Sequence, residues 1–226
     1  MKRNFVLAIT GASGATYAIR TLEVLAAAGF DVHLTISSAA AKVLKQELDL
    51  TVDLDRFQPS VLMLDSALQD PKLQQIRAMA GISSESSNVL SVGTGEPGAI
   101  RYYHYRDYTA PIASGSFLTE GMVICPCSLG TLSAIVQGTS SNLIHRAAEV
   151  HLKERRKLIL VPRETPLSIV HLDNMRRAAE AGAVILPAMP GFYHGVTSIQ
   201  DLVDFVVARI CDQLGILNAL VRRWGS

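Results

Sequence analysis

The feature of this sequence that most restricts its fold is a repeated pattern of short apolar run, turn of small residues and helix-like stretch. Phe5 to Ile9 is apolar and breaks into Thr10-Gly11-Ala12-Ser13-Gly14, after which a helical pattern runs from Ala15 to Ala28 with Gly29 as its stop. Val32 to Ile36 reads as a second strand and Ala39 to Leu48 as a second helix, with Ser37 or Ser38 placed to cap it. Met122 to Cys125, Leu158 to Val161 and Val184 to Leu186 are further apolar runs, each ending in or beside proline or glycine and each followed by a helical pattern. Strands that alternate with helices predict an α/β fold whose parallel sheet is covered on both faces. Ligands of such sheets collect at the carboxyl ends of the strands, so function is expected in the turns that follow these runs.

With 226 residues, 49% of them hydrophobic, the chain is expected to form one domain over 1-226, with an irregular insertion at about 51-104. That insertion holds Pro59, Pro71 and Pro97, a Ser-rich patch at Ser83 to Ser87, a Gly-rich stretch at Gly93 to Gly98 and tyrosines at its end; a helix is expected around Pro71 to Met79, and mostly loop elsewhere. The 21 basic and 20 acidic residues leave a formal charge of +1, so no global field favours nucleic acid or a membrane surface, and any anion site must be a local cluster. No apolar stretch approaches the roughly 18 to 20 residues of a membrane span, and the opening run meets glycine before a signal-peptide core is complete, so a cytoplasmic protein is expected. Cys125, Cys127 and Cys211 lack metal-site spacing and are expected to pack as thiols; the six histidines form no ligand motif, and no metal is expected.

The turn at 10 to 14 lies between a strand and a helix amino terminus, where backbone N–H groups and the helix dipole favour an anion or an electron-rich ring edge. It departs from the dinucleotide fingerprint, because Ser13 and Thr16 stand where glycines are needed and no acidic residue follows the second strand to hold a ribose; this disfavours NAD. Cys125-Pro126-Cys127-Ser128-Leu129-Gly130-Thr131 is a second turn of this kind, and Pro111 to Ser116, with Ser114, a third; together they suggest a phosphorylated cofactor across the strand ends. Arg146 and Lys153, seven apart on one helix face, are suited to share an anionic group, whereas Arg155 and Arg156 read as a solvated face laced with ion pairs. Arg163 and Glu164 follow a strand end, where site residues are expected, and a buried carboxylate there needs a partner. Tyr193 follows the next strand and offers either a hydrogen-bond donor or a core ring with its hydroxyl at the surface. His171 and His194 read as capping or packing residues.

Taken together, TGASG (10 to 14), PIASGS (111 to 116), MVICPCSLGTLS (122 to 133), NLIHRAAEVHLKERRKLILVPRETP (142 to 166), GAVILPAMPGFYH (182 to 194), DLVDFVVARICDQLG (201 to 215) and RWG (223 to 225) resemble the UbiX/Pad-type flavin prenyltransferases. The resemblance implies a single-domain Rossmann-like (flavodoxin-like) fold. It implies that Gly11, Ala12, Ser13, Ser37, Ser114, Ser128, Leu129, Gly130, Thr131 and Arg163 hold reduced FMN, which serves as substrate. It further implies that Arg146, Lys153, Glu164, Tyr193 and Arg209 receive the phosphate of dimethylallyl monophosphate, that Ser13 and Glu164 pass protons around it, and that Glu47 near the flavin assists ring closure. Tyr108 and Trp224 fall where the family has aromatic walls around the prenyl chain. Ser38 stands where many members have lysine, and Tyr108 where some have tryptophan. The family also implies a homo-oligomer, commonly a dodecamer, with sites at subunit contacts, and a UbiD-type decarboxylase that receives prenylated FMN. Two alternatives stand beside this reading. One is an FMN-dependent decarboxylase of the same superfamily, acting on a cysteine-derived substrate, although the PASANT-like turn of those enzymes reads PCSLGT here; the other is a non-catalytic flavin-binding protein.

Overall fold

The computed structural model describes residues 3–62, 69–81 and 98–225. Strands β1 (Asn4–Ile9), β2 (Asp31–Ile36), β3 (Ile100–His104), β4 (Gly121–Cys127), β5 (Lys157–Pro162) and β6 (Val184–Ile185) form one parallel sheet in the order β3-β2-β1-β4-β5-β6. The chain winds outward in one direction from β1 and then returns to place β4 on its other side. The boundary between β1 and β4 is therefore the topological switch point, where a crevice opens beyond the strands' carboxyl ends.

Alternation along each strand sends side chains to two cores, as the period of two requires. Phe5, Leu7 and Ile9 of β1 join Val32, Leu34 and Ile36 of β2 beneath α1 (Ala15–Ala27), α2 (Ser38–Leu48), α3 (Pro71–Met79) and α7 (Ile199–Leu214). Val6 and Ala8 face the opposite layer with Met122, Ile124, Leu158 and Leu160, under α4 (Leu129–Gln137), α5 (Leu143–Lys153) and α6 (Ile169–Glu180). The doubly covered sheet expected from the sequence is what forms. Cys125, Cys127 and Cys211 are buried, and burial pushes the thiols of Cys125 and Cys211 up to about 12.

The insertion needs a correction. The helix expected at Pro71 to Met79 is α3, with Asp70 accepting from the N–H groups of Lys72 and Leu73. The tyrosine-rich stretch read as loop is instead the edge strand β3, in register with β2 from Val32↔Ile100 to Ile36↔His104. Tyr102 leans on Phe57, with ring centroids 4.4 Å apart, while Tyr103 stacks on His33 and bonds its Nδ1 at 3.0 Å. Both faces carry tyrosine, so the strand shows no alternation of polar and apolar residues to read. The Ser-rich patch at 83–87, Pro97 and the Gly-rich stretch up to 97 lie outside the described residues.

Candidate functional site

Three turns meet at the switch point. Gly11 lies against the first turn of α2 so closely that a Cβ there would sit 2.4 Å from Ala39 Cβ, which leaves only glycine room. Gly14 has φ +112, and a Cβ would meet the Tyr17 ring at 2.9 Å, so the left-handed turn into α1 also requires glycine. On the other side Thr10 touches the turn after β4: its hydroxyl lies 2.7 Å from Pro126 O and accepts the Ser128 N–H at 2.7 Å. Arg163, at the end of β5, donates through Nε to Ser13 O at 3.1 Å. Gly11, Ala12, Ser13, Ser37, Ser128, Leu129, Gly130, Thr131, Arg163 and Glu164 are thus brought to one end of the sheet, as the sequence predicts.

The first N–H groups of a helix lack intrahelical partners, so where they point shows which helix ends can take a ligand. At α1 the end is taken: Glu47, reaching from the last turn of α2, accepts from Gly14 N at 2.9 Å and Ala15 N at 2.8 Å. Burial raises the Glu47 carboxyl, but bonds from Ser13, Ala15 and Gly14, with the charge of Arg163, hold it below the usual carboxylate range. At α4, Ser128 caps Thr131 N with its own hydroxyl, and the N–H groups of Leu129 and Gly130 have no partner among the described residues. At α2, Ser37 caps Ala40 N, which leaves the N–H groups of Ser38 and Ala39 open in the same sense. A Cβ on Gly130 would meet nothing within 4 Å, so the α4 end faces open space. Two open helix ends and an arginine at one end of the sheet fit an anion; the α1 end, covered by a carboxylate, does not.

The remaining predicted residues form two other groups. Tyr193, in the loop after β6, packs edge-on against Trp224 at 5.2 Å and Phe205 at 5.7 Å, and Arg209 lies one turn beyond Phe205 on α7, paired with Asp212 at 2.7 Å. Tyr193 is exposed, not a core ring. The third group lines α5 and the turn at 111 to 116. Arg146 donates to Ala113 O at 3.1 Å and Glu149 at 3.2 Å, Glu149 accepts from Ser140 Oγ, and Tyr108 donates to Ser140 O at 3.0 Å. Ser114 bonds Ser116 at 2.9 Å, and Lys153 pairs with Glu154 beside Gly115.

The Lys153 end of this third group is separated from the first along the sheet. α5 begins at Leu143, whose N–H bonds Tyr105 O just past the carboxyl end of β3, and ends at Lys153, four residues before β5 starts at the sheet's amino end. Lys153 therefore lies at the opposite end of the sheet from Ser13, Arg163 and Glu164. Arg146 and Lys153 do share one helix face, but a single chain does not bring Lys153 to the crevice, nor Ser114 to the other cofactor residues. Arg156 donates to Phe117 O and Gly115 O, so it braces this turn and is not part of a solvated face. His171 completes the capping box of α6 with Ser168, as read. Among the described residues no group of His, Cys, Asp or Glu is arranged to hold a metal ion, and no helix is long and apolar enough to cross a membrane.

One charged cluster has no counterpart in the sequence reading. Arg20, in the middle of α1, bonds Asp204 at 2.7 Å, Asp70 at 2.8 Å and Glu23 at 3.2 Å, and Lys72 adds a bond of 2.8 Å to Asp204. The available signal was an arginine and a glutamate inside an otherwise apolar helical stretch, and α1 is buried almost all round.

A doubly wound sheet with anion-ready turns at its switch point defines a nucleotide-type cofactor protein, and the comparisons narrow this. The family model described as Flavoprotein matches residues 1–211. The flavin prenyltransferase UbiX of Pseudomonas aeruginosa is 47% identical over 97% of this chain and 93% of its own, and that of Halalkalibacterium halodurans 43% identical over 98% and 93%. Among solved structures, AnUbiX (PadA1) in complex with FMN and dimethylallyl pyrophosphate has 35% identity, covers 100% of this chain and 99% of its own, and superposes with a TM-score of 0.77. A dodecameric FMN-dependent Ubix-like decarboxylase from Escherichia coli O157:H7 has 32% identity, a TM-score of 0.75 and coverage of 99% and 100%. The chain belongs to the flavoprotein family, within its branch of UbiX-type flavin prenyltransferases.

Proposed function

We infer that this protein is a flavin prenyltransferase that moves a dimethylallyl group from dimethylallyl monophosphate to reduced FMN. The observation that carries the reading is the pair of open helix ends beside Arg163, in a chain 47% identical to a named member of the family. The cradle fits the cofactor. The N–H groups of Leu129, Gly130, Ser38 and Ala39, with Ser37, Ser128, Thr131 and Arg163, would hold its phosphate and ring edge, and the turn at Gly11 to Ser13 would lie alongside. Bound and reduced, FMN supplies the electron-rich N5 and C6 positions to which the prenyl group becomes attached.

The chain's own residues act on the donor. Cleavage of an allylic carbon–oxygen bond develops positive charge on the prenyl group and negative charge on the departing phosphate. Arg146, Lys153 and Arg209 stabilise that phosphate, Glu164 and Ser13 move its proton, and Tyr193 donates a hydrogen bond to it. The faces of Tyr193, Trp224 and Tyr108 stabilise the cation. Glu47, whose carboxyl is held ionised, keeps the turn at Ser13 in place and assists ring closure by that positioning.

Because Lys153 lies at the far end of its own sheet, the α5 face of a second copy completes the site. This supports a homo-oligomer, and one relative of matching length is dodecameric. The product is handed to a UbiD-type decarboxylase. Anaerobic incubation with reduced FMN and dimethylallyl monophosphate, followed by mass spectrometry of the flavin, tests the reading; a diphosphate arm tests the donor, since AnUbiX was solved with dimethylallyl pyrophosphate. The same prenyl mass increment is expected with either donor, in higher yield with the monophosphate. An unchanged flavin with both donors refutes the assignment, and carbon dioxide released from an added cysteine-derived carboxylate would then favour the decarboxylase.

A further inference from the structure

We propose that Thr10 is a positioning residue that fixes the distance between the two flavin-holding turns. The inference rests on the reading of the cradle as an FMN site. Thr10 is the residue that leaves β1; it is only 1% exposed, so it cannot itself touch a ligand. Its hydroxyl is bonded on both sides to the other turn, at residues 116 and 118 positions away. Pro126 O can only accept and the Ser128 N–H can only donate, so the hydroxyl proton must go to Pro126 and the lone pair must take Ser128. The backbone N–H of Thr10 adds a bond to the same Pro126 O at 3.2 Å. No other side chain among the described residues links these two turns by a hydrogen bond.

The bridge also selects which donors remain for the flavin. Ser128 N–H is consumed by Thr10 and Thr131 N–H by the Ser128 hydroxyl, so the open groups at this helix end are those of Leu129 and Gly130. If the Thr10 hydroxyl is removed, the half-buried Ser128 N–H loses its partner and Pro126 O keeps only the Thr10 N–H. The turn relieves this by rotating, and that rotation re-aims the open donors. Valine keeps the shape of threonine but offers neither a proton nor a lone pair; serine keeps both.

The test compares wild type, Thr10→Val and Thr10→Ser by FMN titration, steady-state kinetics and thermal unfolding of the apoprotein. Thr10→Val is expected to raise the FMN Kd and the KM for FMN by about 10- to 100-fold. The KM for the dimethylallyl donor should stay unchanged, and Thr10→Ser should bind FMN within about threefold of wild type. A purely structural role would lower the apoprotein Tm of Thr10→Val while leaving its FMN Kd at the wild-type value, and that result overturns the proposal. If Thr10→Val does not fold, amide exchange on the wild-type apoprotein decides: Ser128 N–H should be protected and Leu129 N–H fast, and fast exchange at Ser128 removes the bridge. If wild type itself fails to bind FMN, the functional reading and this inference both fall; equal FMN binding by wild type and Thr10→Val removes the inference alone.

Discussion

Arg20 and Arg146 each lie on a helix against the body of the protein, and the fold treats them in opposite ways. The Arg20 side chain is 4% exposed and meets Asp204, Asp70 and Glu23, so the chain itself satisfies its charge. The Arg146 side chain is 34% exposed, and its partners are Glu149 and one backbone carbonyl; Lys153, further along α5, is 46% exposed with Glu154 as its ion-pair partner. Removing a guanidinium from water is costly, so a buried one persists only where carboxylates surround it. The α5 cations keep part of their hydration in the single chain and can exchange it for a phosphate or a neighbouring copy. The difference separates charge that holds α1, α3 and α7 together from charge held for something outside the chain.

The largest effect should come from breaking the buried side of this comparison. Asp204→Ala leaves Arg20 and Lys72 without their shared partner, and a loss of about 3–5 kcal/mol in unfolding free energy is expected from urea denaturation. Arg176→Ala, which removes an exposed arginine from the surface of α6, should leave the same curve unmoved; a similar loss in both variants would erase the distinction.

Next comes the exposed side. Lys153→Ala should reduce kcat by about 10²–10³-fold, the typical cost of one lost electrostatic contact to a transition state, with no change in Tm. Mixing Lys153→Ala with Arg163→Ala subunits, each strongly impaired alone, should restore part of the activity under the proposal that one site draws the two residues from different copies; no recovery after subunit exchange would place Lys153 outside the site.

A third prediction concerns pH. Buried His151 donates through Nδ1 to Ala147 O at 2.7 Å and accepts from Thr119 Oγ1 at 2.8 Å, and burial lowers it to about 4. The unfolded chain takes up this proton near pH 6.5 and the native protein only near 4, so stability present above pH 6.5 is lost as the pH falls through that window, by roughly 3 kcal/mol in all. Denaturation midpoints measured from pH 7 to 4 should fall less steeply for His151→Gln than for wild type, and parallel slopes would count against it. The smallest effect is a null: Cys125 and Cys211, with thiols near 12, should resist alkylation at pH 8 in the native protein and react once it is unfolded.

Local pattern made much of this protein legible. Five of the strands, the helix at α3 and the glycine turns at 11 and 14 follow from apolar runs, a capping aspartate and the steric freedom of glycine, each acting over a few residues. β3 escaped because tyrosine on both faces removes the alternation, and the Arg20 cluster escaped because Asp70, at the start of α3, and Asp204, on α7, are far from Arg20 along the chain. The candidate site divides in the same way. The sequence by itself determined which turns carry the small and hydroxyl residues that can hold an anion. Tertiary structure alone decided that Glu47 closes the α1 end, that Thr10 ties one turn to the next, and that Lys153 lies at the far end of the sheet. The physical reason is range: turns and caps are set by neighbours along the chain, whereas the partner of an open N–H or a half-exposed cation is set by whatever the completed sheet brings beside it.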